Sequence, residues 1–198
     1  MSAKPTVVKY LNTVPLIWGM LKGEQRDKFE LDFTTPAHCA EVVRSGQADV
    51  GIIPSIEYQR MDRARIVGSV SVASKGRVKS VLLLSKSPVE KIRTVALDNS
   101  SRTSVALLMI LLRKFYGRAV DGVPLAPDPE EMLKRADAAL VIGDPALTYD
   151  GEVKEVYDLA AEWRKFTGLP FVFALWVGRL EANVGRLRKD FETSRDYG

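Results

Sequence analysis

The chain has 198 residues, 46% of them hydrophobic and 27% charged, which is enough to bury one large core or two smaller ones. Its 29 Lys and Arg against 25 Asp and Glu leave a net charge of +4. The basic residues are scattered rather than gathered in a run, which favours an anionic small ligand over nucleic acid. With Cys39 as the single cysteine and His38 as the single histidine, an intrachain disulfide and a structural Cys/His zinc site are both excluded.

The opening Met1-Ser2-Ala3-Lys4-Pro5 carries no apolar signal core, and no window reaches the ~18–20 apolar residues of a bilayer span. The expectation is a soluble cytoplasmic protein that needs no membrane and no nucleic acid. Neither the dinucleotide-binding fingerprint nor the P-loop occurs, and nothing in the chain asks for NAD, ATP or a metal ion.

Taken in order, strand-like and helix-like segments alternate from end to end, the pattern of βαβ units around mostly parallel sheets. Thr6–Tyr10 reads as a buried strand and Pro15–Lys22 as a short helix with its proline in the first turn, where the missing N–H costs nothing. Leu31–Thr34 is a second strand. Pro36–Ser45 spaces Ala37, Ala40, Val42 and Val43 as a helix does, and Gly46 supplies its stop. Ala48–Ile53 is a third strand, and a helix runs from Pro54 through Met61.

Ile66–Ala73 and Ser80–Ser85 are apolar and β-branched, separated by Lys75-Gly76-Arg77, which reads as a crossing between two lobes. Thr94–Leu97 is a strand and Ser104–Tyr116 the strongest helix in the protein. Pro124, Pro127 and Pro129 mark a loop, Glu130–Ala136 a helix, Ala138–Ile142 a buried strand and Val156–Phe166 a helix. The apolar strand Pro170–Val177 then returns the chain to the first lobe. The expected division is a discontinuous first lobe, 1–75 with 173–198, and a second lobe, 76–172. Near the C-terminus Arg179, Arg186, Arg188 and Lys189 alternate with Glu181, Asp190 and Glu192, which reads as a solvated helix face.

Chemistry concentrates at the corners where strands hand over to helices, the usual mouth of a ligand site in an open α/β sheet. Asn12 and Thr13 stand before the helix starting near Pro15; there Asn12 either caps the helix or meets a ligand beside its outward N–H groups. The corner from Asp98 to Ser104 offers a carboxylate, the amide of Asn99, the hydroxyls of Ser100, Ser101, Thr103 and Ser104, and Arg102. That is more than one helix cap needs, and a carboxylate ligand would find donors and a helix N-terminus together. Ser55, Ser80 and the Gly143-Asp144 corner have the same character.

Ser80 has no G-x-S-x-G elbow and no histidine relay, so a serine hydrolase is rejected. His38 reads as an exposed or locally bonded side chain with no assigned role, and Cys39 as buried packing. Trp163, Phe166, Phe171, Phe173 and Trp176 read as core, with Phe171 or Trp176 as the two that could wall a pocket.

The segments Tyr10-Leu11-Asn12-Thr13-Val14-Pro15-Leu16, Gly46-Gln47-Ala48-Asp49-Val50-Gly51-Ile52-Ile53-Pro54-Ser55-Ile56-Glu57-Tyr58, Lys79-Ser80-Val81, Leu97-Asp98 with Ser101-Arg102-Thr103-Ser104, Ile142-Gly143-Asp144, Asp158-Leu159-Ala160-Ala161-Glu162-Trp163 and Gly168-Leu169-Pro170-Phe171-Val172-Phe173-Ala174 are collinear over nearly the whole chain. Together they resemble the chorismate dehydratase family of the futalosine route to menaquinone. The resemblance implies an α/β, two-lobed fold like the type 2 periplasmic binding proteins, with a ligand cleft between the lobes. It implies removal of water from chorismate to give 3-[(1-carboxyvinyl)oxy]benzoate, without a cofactor.

By match to the family's motifs, Asn12 and Ser80 are the catalytic groups. Thr13, Ser55, Ser101, Thr103, Ser104 and Asp144 are the substrate-binding ones. The resemblance also implies further C-terminal helices on the first lobe, where this chain stops at Tyr197-Gly198. The oligomeric state stays open, a homodimer included. Two other readings share the fold: a 1,4-dihydroxy-6-naphthoate synthase, which would want a histidine base and has only His38 to offer, and a non-catalytic binder of small carboxylates.

Overall fold

A computed structural model describes residues 4–98 and 100–198 of the chain. In chain order its strands and helices are β1 (Pro5–Val8), α1 (Val14–Lys22), β2 (Asp32–Thr34), α2 (Pro36–Ser45), β3 (Val50–Pro54), α3 (Ser55–Tyr58) and β4 (Ala64–Ser74). Then come β5 (Val81–Ser85), β6 (Thr94–Asp98), α4 (Arg102–Ile110), β7 (Asp121–Leu125), α5 (Pro129–Arg135), β8 (Ala138–Ile142) and α6 (Asp144–Thr148). The last are β9 (Glu155–Asp158), α7 (Leu159–Thr167), β10 (Phe171–Arg179) and α8 (Arg188–Tyr197). The chain divides into two compact units, one of residues up to Ala73 together with Val172–Gly198, the other Ser74–Phe171.

The first unit is built on a five-stranded sheet in the order β2-β1-β3-β10-β4. β1 and β3 are buried along their whole length, as expected of parallel strands covered on both faces. The core gathers Val7, Ile17, Val43, Ile52, Trp176 and Phe191, with Trp176 and Phe191 stacked at 4.3 Å between ring centroids. Trp176 is fully buried, so it does not wall a pocket. α2 begins on Thr35, whose hydroxyl accepts from the His38 N–H at 3.4 Å, has Pro36 in its first turn, and ends on Gly46 at φ +82°. That left-handed stop costs glycine nothing and any other residue some strain.

The second unit holds the sheet β7-β6-β8-β5-β9, also five strands, with Leu82, Leu84, Ala96, Met132, Ala139 and Val141 in its core. Both sheets are mixed, which corrects the mostly parallel expectation. β10 runs antiparallel to β3, and β5 antiparallel to β8 and β9. The reason lies where the chain enters each unit: Ala174 of β10 pairs with Pro54 at the end of β3, and Val81 of β5 with Ile142 at the end of β8. A strand entering at the carboxyl end of its neighbour has to run back along it.

Other departures from the sequence reading are local. Asp121–Leu125 is a strand despite Pro124, because it pairs only with β6 and an edge strand tolerates a missing N–H. Val156 and Tyr157 pair with β5 rather than opening α7, which starts at Leu159. The helix expected over 54–61 is the single turn α3 followed by turns, and the strand begun at Thr6 ends at Val8. α4 starts at Arg102 and continues as a π-helical turn over Leu111–Phe115. Arg179 closes β10 and pairs with Asp49 at 3.1 Å, while Arg188 and Lys189 lie on the charged face of α8 as read. Among the described residues no helix is long and apolar enough to cross a membrane.

Candidate active site

In the first unit β1 and β3 pair in parallel, Thr6 opposite Gly51, so the corners that follow them lie at one edge of the sheet. After β1 comes exposed Tyr10 and the 3-10 turn Leu11–Thr13, closed by the Thr13 N–H donating to the Tyr10 carbonyl at 3.0 Å. Asn12 is exposed, and its Oδ1 accepts the Thr13 hydroxyl at 3.4 Å. Neither that turn nor α1 has a side-chain cap, so Asn12 is not the cap of α1. Thr13 itself is buried. Ser55 opens α3 and donates its hydroxyl to the Val172 carbonyl at 2.8 Å, pinning the entry of β10 to the same edge.

In the second unit β6 and β8 pair in parallel, Leu97 opposite Leu140; β5 starts at that edge and runs back along β8, while β9, antiparallel to β5, ends there, Leu82 opposite Asp158. Ser80, the Asp98–Ser104 corner, Gly143-Asp144 and Asp158 therefore share one end of this sheet. Asp98 is buried and its Oδ1 accepts the Ser100 N–H at 2.8 Å; Asn99 lies outside the described residues. Ser101 is the cap of α4: its Oγ accepts the Ser104 N–H at 3.3 Å and lies 2.9 Å from the Ser104 hydroxyl. Thr103 and Ser104 are buried, so the outward face of this tip consists of Ser101, exposed Arg102 and the first-turn N–H groups. Asp144 is exposed at the start of α6, its carbonyl accepting the Thr148 hydroxyl at 2.9 Å.

Ser80 is half-buried, and its hydroxyl has no hydrogen-bond partner among the described residues. Its backbone is held from both sides. The Ser80 carbonyl accepts the Gly143 N–H at 2.8 Å. Just before it, the N–H groups of Val78 and Lys79 both donate to Oδ2 of Asp158, at 2.9 and 2.8 Å. The other oxygen of that carboxylate caps α7, accepting from Ala160 and Ala161 at 3.1 and 3.0 Å. From sequence Asp158 reads as part of a helix over Val156–Phe166 and as the first residue of a family-like segment, and neither reading says anything of the bonds it makes to Val78 and Lys79.

His38 is exposed, 3.7 Å from Glu41, and lines a cavity of about 350 Å³ with Lys4, Thr6, Asp32 and Ala48. Those neighbours stand at the amino ends of β1–β3, opposite the Asn12 and Ser55 edge. A second cavity of about 360 Å³ is lined by Arg44, Arg60, Arg63 and Arg179, each paired with a carboxylate. Neither takes in any of the expected site residues. Among the described residues no three His, Cys, Asp or Glu side chains converge as a metal site.

Comparison with solved structures places the fold. Protein AF1704 from Archaeoglobus fulgidus matches with a TM-score of 0.73 at 17% identity, covering 98% of this chain and 74% of that one. The periplasmic aliphatic sulphonate binding protein SsuA from Escherichia coli matches with a TM-score of 0.68 at 14% identity, covering 98% and 71%. The fold is thus periplasmic-binding-protein-like. In sequence, the chain is 33% identical over 198 residues to the chorismate dehydratase of Thermus thermophilus, covering 87% of this chain and 68% of that protein. It is 34% identical over 172 residues to the chorismate dehydratase of Campylobacter jejuni, covering 84% of this chain and 63% of that protein. The family model described as menaquinone biosynthesis matches residues 6–198. The chain belongs to the menaquinone-biosynthesis family.

Proposed function

We propose that this chain is a chorismate dehydratase, a hydro-lyase that removes water from chorismate to give 3-[(1-carboxyvinyl)oxy]benzoate, and that it works in the cytoplasm. One structural observation carries the reading beyond the likeness to named relatives. The topology of each sheet delivers the expected polar residues to the carboxyl ends of its parallel strands: Asn12, Thr13 and Ser55 in the first unit, Ser80, Ser101 and Asp144 in the second. In open α/β sheets that is the end where ligands bind.

The chemistry asks little of the protein beyond placement and charge stabilisation. The ring C3–H of chorismate is a vinylogous neighbour of the C1 carboxylate, so its removal leaves a carbanion spread into that carboxylate. Loss of the C4 hydroxyl, which leaves with a proton as water, then closes the aromatic ring and drives the reaction. The capped tip of α4, a helix N-terminus with the exposed cation Arg102 on it, suits a substrate carboxylate. Asn12, free of any capping duty, suits the departing hydroxyl, and the Ser80 hydroxyl is a second donor. None of these groups is a good general base. The enolpyruvyl carboxylate of the substrate takes the C3 proton, with the protein enforcing the geometry.

The test is direct: incubate the protein with chorismate and follow benzoate absorbance, with product identity checked by mass. Chorismate bound but released unchanged would leave a non-catalytic binder instead. A chorismate analogue with its side-chain carboxylate replaced by an amide should bind but not turn over. The naphthoate synthase reading would need a histidine base, and the single histidine, His38, is exposed in the first turn of α2 beside Glu41.

A further inference from the structure

We infer that Asp158 is a positioning residue for Ser80, holding it through the backbone of Val78 and Lys79; the inference rests on the dehydratase reading above. The carboxylate is 5% exposed and lies between two segments remote in sequence. One oxygen closes the N-terminus of α7 on Ala160 and Ala161, and the other gathers the consecutive N–H groups of Val78 and Lys79. Lys79, whose N–H is the second of these, sits at φ +58°, the one non-glycine residue with positive φ among the described residues, and that torsion sets the direction in which the chain enters Ser80. For a residue with a side chain that conformation is strained and persists only where its surroundings impose it.

The strain falls directly before Ser80. With residues 78 and 79 tied to Asp158 and the Ser80 carbonyl tied to the Gly143 N–H, the Cα–Cβ direction of Ser80 is set from both sides. Its hydroxyl is left without a partner among the described residues, available to substrate. A cap for α7 would need one acceptor oxygen and no left-handed lysine. The second oxygen and the turn at Lys79 are what a merely capping Asp158 leaves unexplained.

The experiment measures kcat and KM for chorismate in the wild type, Asp158→Asn, Asp158→Ser, Ser80→Ala and the Ser80→Ala/Asp158→Asn double variant, with thermal unfolding of each. Asparagine keeps the capping oxygen but turns an NH2 toward the two N–H groups. Serine keeps a good cap on a side chain too short to reach Val78 and Lys79, so it serves if the asparagine variant folds poorly. Each single Asp158 variant should lower kcat about 30-fold with KM changed less than about threefold, since a misplacement on the order of 1 Å costs up to about 100-fold. Because Asp158 acts through Ser80, the double variant should be no slower than Ser80→Ala alone.

An unchanged kcat in both Asp158 variants, or losses that multiply in the double variant, overturns the inference while the dehydratase reading stands. Wild-type protein that folds but does not dehydrate chorismate overturns both.

Discussion

Asn12 is an exposed amide whose side chain, among the described residues, makes one hydrogen bond, the 3.4 Å bond it accepts from the Thr13 hydroxyl. Because it neither caps α1 nor packs in the core, Asn12→Ala should leave the unfolding temperature within about 2 °C of wild type while turnover of chorismate falls about 100-fold, the usual loss for one well-placed hydrogen-bond donor. Equal losses of activity and stability would mean the residue is structural. Cys39 makes the opposite case, a reactive group silenced by its surroundings. Burial pushes its thiol from 9.0 up to about 11, against the pull of the Thr6 hydroxyl at 3.4 Å and with a smaller push from Asp32. The folded protein therefore keeps the proton over a range in which the unfolded chain has lost it. The unfolded state binds fewer protons there, so stability is lost as pH rises from about 9 to 11, by about 2 kcal/mol from this group. Urea unfolding at pH 8 and pH 10.5 should show a steeper loss in wild type than in Cys39→Ala. Parallel losses would remove burial of the thiol as the cause.

At the scale of elements, α1 and α8 approach so closely that a side chain on Gly19 has no room: a Cβ there would lie 2.6 Å from Ser194 Cα and 2.8 Å from Gln25 Oε1. The Met20 N–H also donates to the Ser194 hydroxyl at 3.1 Å, and Phe191 on the same face of α8 is buried against Trp176. Because one of the atoms in the way is backbone, rotating a side chain does not relieve the clash. Gly19→Ala should cost about 1–3 kcal/mol and lower the unfolding temperature by about 5 °C. A melting curve unchanged from wild type would show that the two helices can part without cost. Legibility from sequence also varied by element. α2 announced both ends, with Thr35-Pro36 at the start and Gly46 at the stop. β7 and β9 did not, because a short edge strand with a proline and a short strand abutting a helix are defined by the neighbours they pair with.

Over the whole molecule, the unit Ser74–Phe171 is continuous in sequence and contains its own five-stranded sheet and core, while the other unit needs both ends of the chain. A fragment of residues 74–171 should therefore fold alone with a cooperative thermal transition and native-like circular dichroism. A fragment of residues 1–73 should not, because β10, α8, Trp176 and Phe191 come from beyond its end. Non-cooperative melting of the first fragment would show that its core depends on the rest of the chain. By itself the sequence determined the alternation of strands and helices, the polar corners that follow β1, β3, β6 and β8, and through their ordered residues the menaquinone-biosynthesis family. Those are properties of local spacing and of residue identity, and they survive being read along a line. Only the tertiary structure decided that β5 and β10 run against their neighbours, that Asn12 is released from capping, that Thr103 and Ser104 turn inward, and that Asp158 reaches back across the second unit to the turn before Ser80. Each of these depends on which distant segment occupies the adjoining space, and residue spacing carries no record of that.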